Sequence, residues 1–432
     1  MIAALAAAVP VVNGWQAQQT WRDGVAGLDA WLAGAGDGAG ARVLDYQRGL
    51  YSARARSLIH LPASTLSAPL RAALALPPGP IELRLEQTIR HGWRGVSFEG
   101  YVQPIGALAD AFARVGGDSR SLRINGRVGF ARQSVALQTK ALSGPLDRNG
   151  TVEARLEPVQ LNADYARRDR SLTAALDWPG LLLEALDTND KLRLEGIRLD
   201  TDARLVAGSP VQGVWVGESR LGLTSFRLEP AAATAAAIAL EQLAVNATSE
   251  QADTGLMDAR LTVDWQRLAM AGQPTLRGGL TLDFEGLAPA GLLALSRQTA
   301  RGGLPDTLAA GPRQALALLA EAGPRVGLTR LRLENLAGAG MSARADLQIR
   351  PVMAARLRTG HDPMALWSAL RLDAEMGIDP ALAQALPAEQ MAWLQQLQAF
   401  GILRQIDGEW RLAVSMDEGR LSIHGQPWWD GG

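Results

Sequence analysis

The chain has 432 residues, with 43 basic against 44 acidic side chains and no cysteine. Balanced charge creates no field for nucleic acid or an acidic substrate, and the missing cysteine excludes disulfides, thiolate metal sites and a thiol nucleophile. The length exceeds one ordinary core, so two or three sub-domains or one elongated sheet are expected.

Ile2 to Val12 is an uninterrupted apolar run where a signal sequence would lie, too short to span a bilayer as a helix. It reads as a secretory signal or signal anchor, with a buried helix as the alternative. Trp15 to Leu32 has helical spacing, with Trp21, Val25, Leu28 and Leu32 on one stripe, and Gly34 to Gly40 reads as a linker. Trp15, Trp21 and Trp31 flank the anchor, where indole rings favour a membrane interface.

Period-2 alternation then recurs, most clearly from Ile81 to Arg90. It returns at Leu192–Leu194, Ile197–Leu199, Leu261–Trp265, Leu280–Phe284, Leu331–Leu333, Ala345–Ile349 and Trp410–Val414. Such strands have one apolar and one solvated face, which implies antiparallel sheet. Asn125-Gly126, Asn149-Gly150, Asp407-Gly408 and Glu418-Gly419 read as tight hairpin turns, so the sheet should be a meander. Helices are expected at Pro289–Arg301, Pro312–Ala322 and after an Asp379-Pro380 cap. Pro387 should break the last, leaving Met391, Leu394, Leu397 and Phe400 as a buried stripe ended by Gly401.

The fold class expected is a β-dominated α+β protein of long twisted antiparallel meanders with a few covering helices. The domains expected are an anchor and amphipathic helix at 1–33, a first β-rich domain at 41–285, a helical insertion at 286–324 and a second β-rich domain at 325–428, with a helical segment at 379–400.

No catalytic constellation emerges. His60, His91, His361 and His424 lie outside metal-ligand spacing of one another, no Gly-x-Ser-x-Gly elbow occurs, and the glycine-rich stretch at 34–40 lacks the Gly-Lys-Ser/Thr of a phosphate loop. No cofactor is expected.

Tyr46-Gln47-Arg48-Gly49-Leu50-Tyr51-Ser52-Ala53-Arg54-Ala55 resembles the Tyr-x-Arg-Gly strand near the start of the bacterial YdgA-like family, a family of unknown function. Ile89-Arg90-His91-Gly92 resembles its Ile-x-His-Gly, with Trp93 in place of proline. Gly419 to Pro427, with Gly425 in it, resembles its closing hairpin, with His424 in place of asparagine. Gly213 to Gly217 is also similar. The resemblance implies an N-terminal signal anchor, a periplasmic location at the inner membrane and no established catalytic residue. It singles out Tyr46, Arg48, Gly49, Ser52, His91, Gly92, Gly419 and Gly425 as structural motif candidates. By its residues, Tyr46 to Ala55 is an alternating strand with a bend at Arg48-Gly49, where glycine permits a bulge.

The leading functional expectation is a non-enzymatic periplasmic protein tethered to the inner membrane, with a binding or maintenance role in the envelope. A second is lipid binding or transport along an apolar β-groove, and a third a hydrolase with a dispersed site. The membrane, lipid and further copies of the chain are the partners expected.

Overall fold

The computed structural model describes residues 2–35, 38–49, 51–62, 79–92, 95–210, 213–231, 237–299, 310–359 and 367–430, so Trp93 and His361 lie outside the described residues. It is 59% strand and 19% helix, the β-dominated α+β class that the alternation implies. Every described strand pairing is antiparallel. The chain divides into two compact units. The first comprises residues 1–205, 209–211 and 297–304, and the second residues 206–208, 212–296 and 305–432.

The first unit opens with α1 (Ile2–Ala35), in which the apolar run and the amphipathic stretch form one helix of 34 residues. No helix among the described residues is long and apolar enough to cross a membrane. Gly14, Ala17, Val25 and Leu32 of α1 are buried, at the three- and four-residue spacing that keeps side chains on one helix face. That face lies on a meander of β1 (Gly40–Arg48), β2 (Ser52–Leu61), β3 (Ile81–Gly92) and β4 (Gly95–Pro104). Ala17 packs on Ala53, Ala55 and Ile89, and Val25 and Leu32 pack on Ala39 and Ala41. Small residues in the strands let the helix approach closely.

The chain continues through α2 (Ala107–Arg114), β5 (Leu122–Val128) and β6 (Arg132–Thr139). A hairpin of β7 (Leu142–Pro145) and β8 (Val152–Leu156) then leads to β9 (Gln160–Ala166), β10 (Ser171–Ala185) and β11 (Lys191–Gly208). Because β9 pairs with β6, the hairpin stands out as an insertion in the meander. It makes a small core of its own, in which Val115 after α2 meets Leu142, Leu146 and Ala154.

Two local expectations are corrected. Asn125-Gly126 does not turn. It lies inside β5, with Gly126 opposite Phe98 on one side and Val135 on the other. A Cβ on Gly126 would come within 2.5 Å of Phe98 Cζ, so the glycine makes room for an aromatic ring rather than for a turn. The bulge expected at Arg48-Gly49 falls instead at Leu44, where the pairing register shifts between Val43 and Asp45. Arg48 ends β1, and the Gly49 N–H donates to the Ser52 carbonyl at 2.7 Å, closing a hairpin.

The second unit is a meander of β12 (Gly213–Glu229), β13 (Ile238–Gln251), β14 (Met257–Met270), β15 (Leu276–Leu287), β16 (Arg325–Asn335), β17 (Gly340–Ile349) and β18 (Leu370–Ile378). It is completed by β19 (Arg404–Ile406), β20 (Glu409–Asp417), β21 (Arg420–Ile423) and β22 (Gln426–Asp430). Its helices are α3 (Pro289–Thr299), α4 (Ala310–Ala320), α5 (Val352–Thr359), α6 (Pro380–Gln384) and α7 (Ala388–Ala399). The Asp379 carboxylate accepts from the Ala381 N–H at 2.8 Å, the expected cap. Leu394, Leu403, Ile378 and Trp410 form a core beneath α7, joined by Met391 and Leu397. Phe400, read as part of that stripe, is 60% exposed, because α7 ends at Ala399 and Gly401 at φ 71° redirects the chain. Asp407-Gly408 and Glu418-Gly419 are turns with positive φ at both residues, and so is His424-Gly425.

The alternation gives this sheet two unlike faces. Val245, Val263, Leu280 and Leu331 stand side by side across β13 to β16, all half-buried. Arg344 pairs with Glu375 at 2.6 Å and Arg260 with Asp283 at 2.5 Å on neighbouring strands.

Candidate functional site

The first unit holds a cavity of about 430 Å³ between α1 and the sheet surface of β3 to β5. That volume lies within the range of small-molecule sites, about 300–1,000 Å³. Its walls follow from alternation. Leu85 and Ile89 project from β3, Val96 and Phe98 from β4, and Ile124 and Val128 from β5, while Trp21, Val25 and Leu28 of α1 form the roof. Phe130, at the β5–β6 turn and 74% exposed, stands at the rim beside Arg167, the one charged side chain among the described lining residues. With its amide oxygen turned inward, Gln133 accepts from Arg167 Nε at 2.9 Å.

The polar groups buried beneath α1 differ from these apolar walls. Gln87 is 5% exposed and its Oε1 has no partner within the protein, nor has the buried Trp21 Nε1. Tyr46 Oη, Ser57 Oγ and both ring nitrogens of His91 in the same layer are also without one. Register explains the grouping. Tyr46 on β1 and Gln87 on β3 flank Ala55 of β2, and Gln87 faces Gly100 of β4. A Cβ on Gly100 would meet Gln87 Cγ at 2.6 Å, so the glutamine leans over the glycine. A buried polar group without a partner costs about 1–3 kcal/mol, so several such costs fall together under one helix.

His91 lies beneath α1. A Cβ on Gly14 would come within 2.8 Å of His91 Nδ1, so glycine there is a requirement of close approach. Burial lowers the His91 pKa from its usual value, and the positive charge of Arg48 lowers it further. Burial raises the Tyr46 pKa, partly opposed by Arg48. Both groups are therefore neutral near pH 7.

Of the residues singled out by sequence, the fold brings Tyr46 and His91 together under α1, with the exposed Arg48 near both. Gly49 and Ser52 form the adjoining hairpin, whose Tyr51 carbonyl accepts from the His91 N–H at 2.8 Å. Gly92 ends β3 opposite Gly95. Gly419 and Gly425 belong to the second unit, in the β20–β21 and β21–β22 turns, where His424 Nε2 hydrogen-bonds the Ile402 carbonyl at 3.0 Å. Sequence reasoning missed Gln87, Ser57 and Arg167. The first two carried a legible signal, because each is a polar residue in the apolar register of its strand. No group of three or more His, Asp or Glu that could hold a metal occurs among the described residues.

The architecture is thus that of a two-unit, meander-based α+β protein with an apolar cavity roofed by its N-terminal helix. The chain belongs to the family described as bacterial protein of unknown function (DUF945), whose model matches residues 1–428. No curated protein and no solved structure matches it.

Proposed function

We propose that this is a non-enzymatic, YdgA-like protein of the bacterial envelope that binds an apolar chain in the cavity beneath α1. The observation that carries the reading is the cavity itself, about 430 Å³ with mostly apolar walls. It opens to solvent beside an exposed phenylalanine, and its volume and apolar lining suit a small apolar ligand. The lining offers no acid, histidine or nucleophile near a base among the described residues, which favours binding over chemistry. A periplasmic location, tethered to the inner membrane through the N-terminal segment, is part of the same proposal. It is supported by the apolar run at 2–12 and by Trp15, which follows it in α1 and is exposed.

Native mass spectrometry of the full chain purified without detergent tests the binding. The expected result is a co-purifying lipid that is lost in Ile124→Trp, which narrows the cavity. Lipid retained in that variant at wild-type level would place it elsewhere, and a lipid-free wild-type chain that also takes up no added acyl compound would refute the reading. Recovery of the native protein in the cytosolic fraction would refute the location.

A further inference from the structure

The whole chain is balanced in charge, but one face of the first unit is not. Ile89 of β3 packs beneath α1, so its neighbours Thr88 and Arg90 project from the opposite side of the sheet. Strand register sets one row across that side. Ser52 of β2, Arg90 of β3, Ser97 of β4, Arg127 of β5 and Ser134 of β6 stand next to one another, and the first acid met is Asp164 of β9. Elsewhere on this face arginines stand against carboxylates, Arg123 at 2.7 Å from Glu99 and Arg56 at 3.6 Å from Glu86. Arg90 and Arg127 have no such partner among the described residues, nor has Arg54, which lies beside Thr88 on β2.

Arg90 and Arg127 flank Ser97 with two strand spacings, about 10 Å, between their backbones. Both are exposed, and an extended arginine spans more than half that gap, so the two guanidinium heads can meet above the short serine. Two like charges so placed repel, and an anion between them turns the repulsion into attraction. A phosphate fits better than a carboxylate, because its oxygens can serve two guanidinium forks and the serine hydroxyl at once. An open groove of about 690 Å³ runs past Arg54, Arg90 and Ser97 and leaves room for the group that the phosphate is attached to.

We infer that Arg90, Ser97 and Arg127 form a binding site for a phosphate group, with Arg54 on its flank. The site lies on the opposite side of the sheet from the apolar cavity and does not depend on the reading of that cavity.

Calorimetric titration of the full chain with glycerol 3-phosphate and with glycerate tests this, together with cosedimentation on vesicles of phosphatidylglycerol or of phosphatidylcholine. The expected result is binding of glycerol 3-phosphate, which marks a free ester, or a preference for phosphatidylglycerol over phosphatidylcholine, which marks a lipid headgroup. Arg90→Gln/Arg127→Gln should weaken that binding about tenfold or more, the loss of at least one charge-assisted hydrogen bond. Arg344→Gln/Arg411→Gln, which removes the same charge from the second unit, should leave it unchanged. Binding that survives Arg90→Gln/Arg127→Gln overturns the site, and so does an equal loss in both double variants, which reduces the effect to net charge. Glycerate bound as tightly as glycerol 3-phosphate overturns the assignment to phosphate. Failure to bind glycerol 3-phosphate, with no preference between the vesicles, overturns the proposal outright.

Discussion

Gly14 and Gly27 lie in the same helix and should respond in opposite ways to the same substitution. Glycine to alanine within a helix stabilises by about 1 kcal/mol when the added methyl meets nothing. At Gly27 no atom lies within 4 Å of the position a Cβ would take, so Gly27→Ala should deliver that gain. At Gly14 the same methyl would sit 2.8 Å from His91 Nδ1 and 2.9 Å from Cε1. Ordinary carbon contacts are about 3.5–4.0 Å. His91 is 6% exposed, so α1 must lift or the buried ring must leave its rotamer, at about 1–3 kcal/mol. Gly14→Ala should therefore lie about 1–3 kcal/mol below Gly27→Ala. For a domain the size of the first unit, that is a difference of roughly 2–12 °C in melting temperature. Urea denaturation followed by tryptophan fluorescence measures it. Adding His91→Ala to Gly14→Ala should recover most of the loss, as a double-mutant cycle reads directly. Equal stabilisation by the two alanines would show that α1 does not rest on His91, and the cavity roof would fall with it.

Because the folded-state pKa of His91 is lowered, the unfolded chain takes up its proton first on acidification. Stability tied to neutral His91 is therefore complete above about pH 6.5 and is lost as pH falls below it, so the urea midpoint should drop more steeply between pH 7.5 and 5.5 in wild type than in His91→Gln. Matching slopes would remove the buried-neutral assignment. In the second unit Leu403→Ala, at a side chain 1% exposed, should lower stability by about 2–5 kcal/mol, whereas Phe400→Ala should stay within about 0.5 kcal/mol. The reverse order would restore Phe400 to the core. Asp379→Ala removes the carboxylate that accepts from Ala381 and should lower stability by about 1 kcal/mol in the same assay. No change would show that Pro380 alone sets the helix start. The surface pair Arg344–Glu375 should yield no more than about 1 kcal/mol in a double-mutant cycle, falling with added salt.

The period of a strand is local, so the alternation from Ile81 to Arg90, from Leu280 to Phe284 and from Trp410 to Val414 was readable directly, and with it the antiparallel, β-dominated class. Turns that need positive φ at two successive residues are local too, which is why Asp407-Gly408 and Glu418-Gly419 fell where expected. Asn125-Gly126 has the same chemistry and lies in mid-strand, because the Phe98 ring from a neighbouring strand occupies the space its glycine leaves. The site follows the same division. The motif residues Tyr46 and His91 come together under α1, and Gln87 could have been noticed as a polar residue in an apolar register. That Gln87 and Trp21 line one cavity, with Gly14 close over His91, depends on strand pairings and on helix docking. Those join residues tens of positions apart, where local periodicity carries no information and only the three-dimensional packing decides.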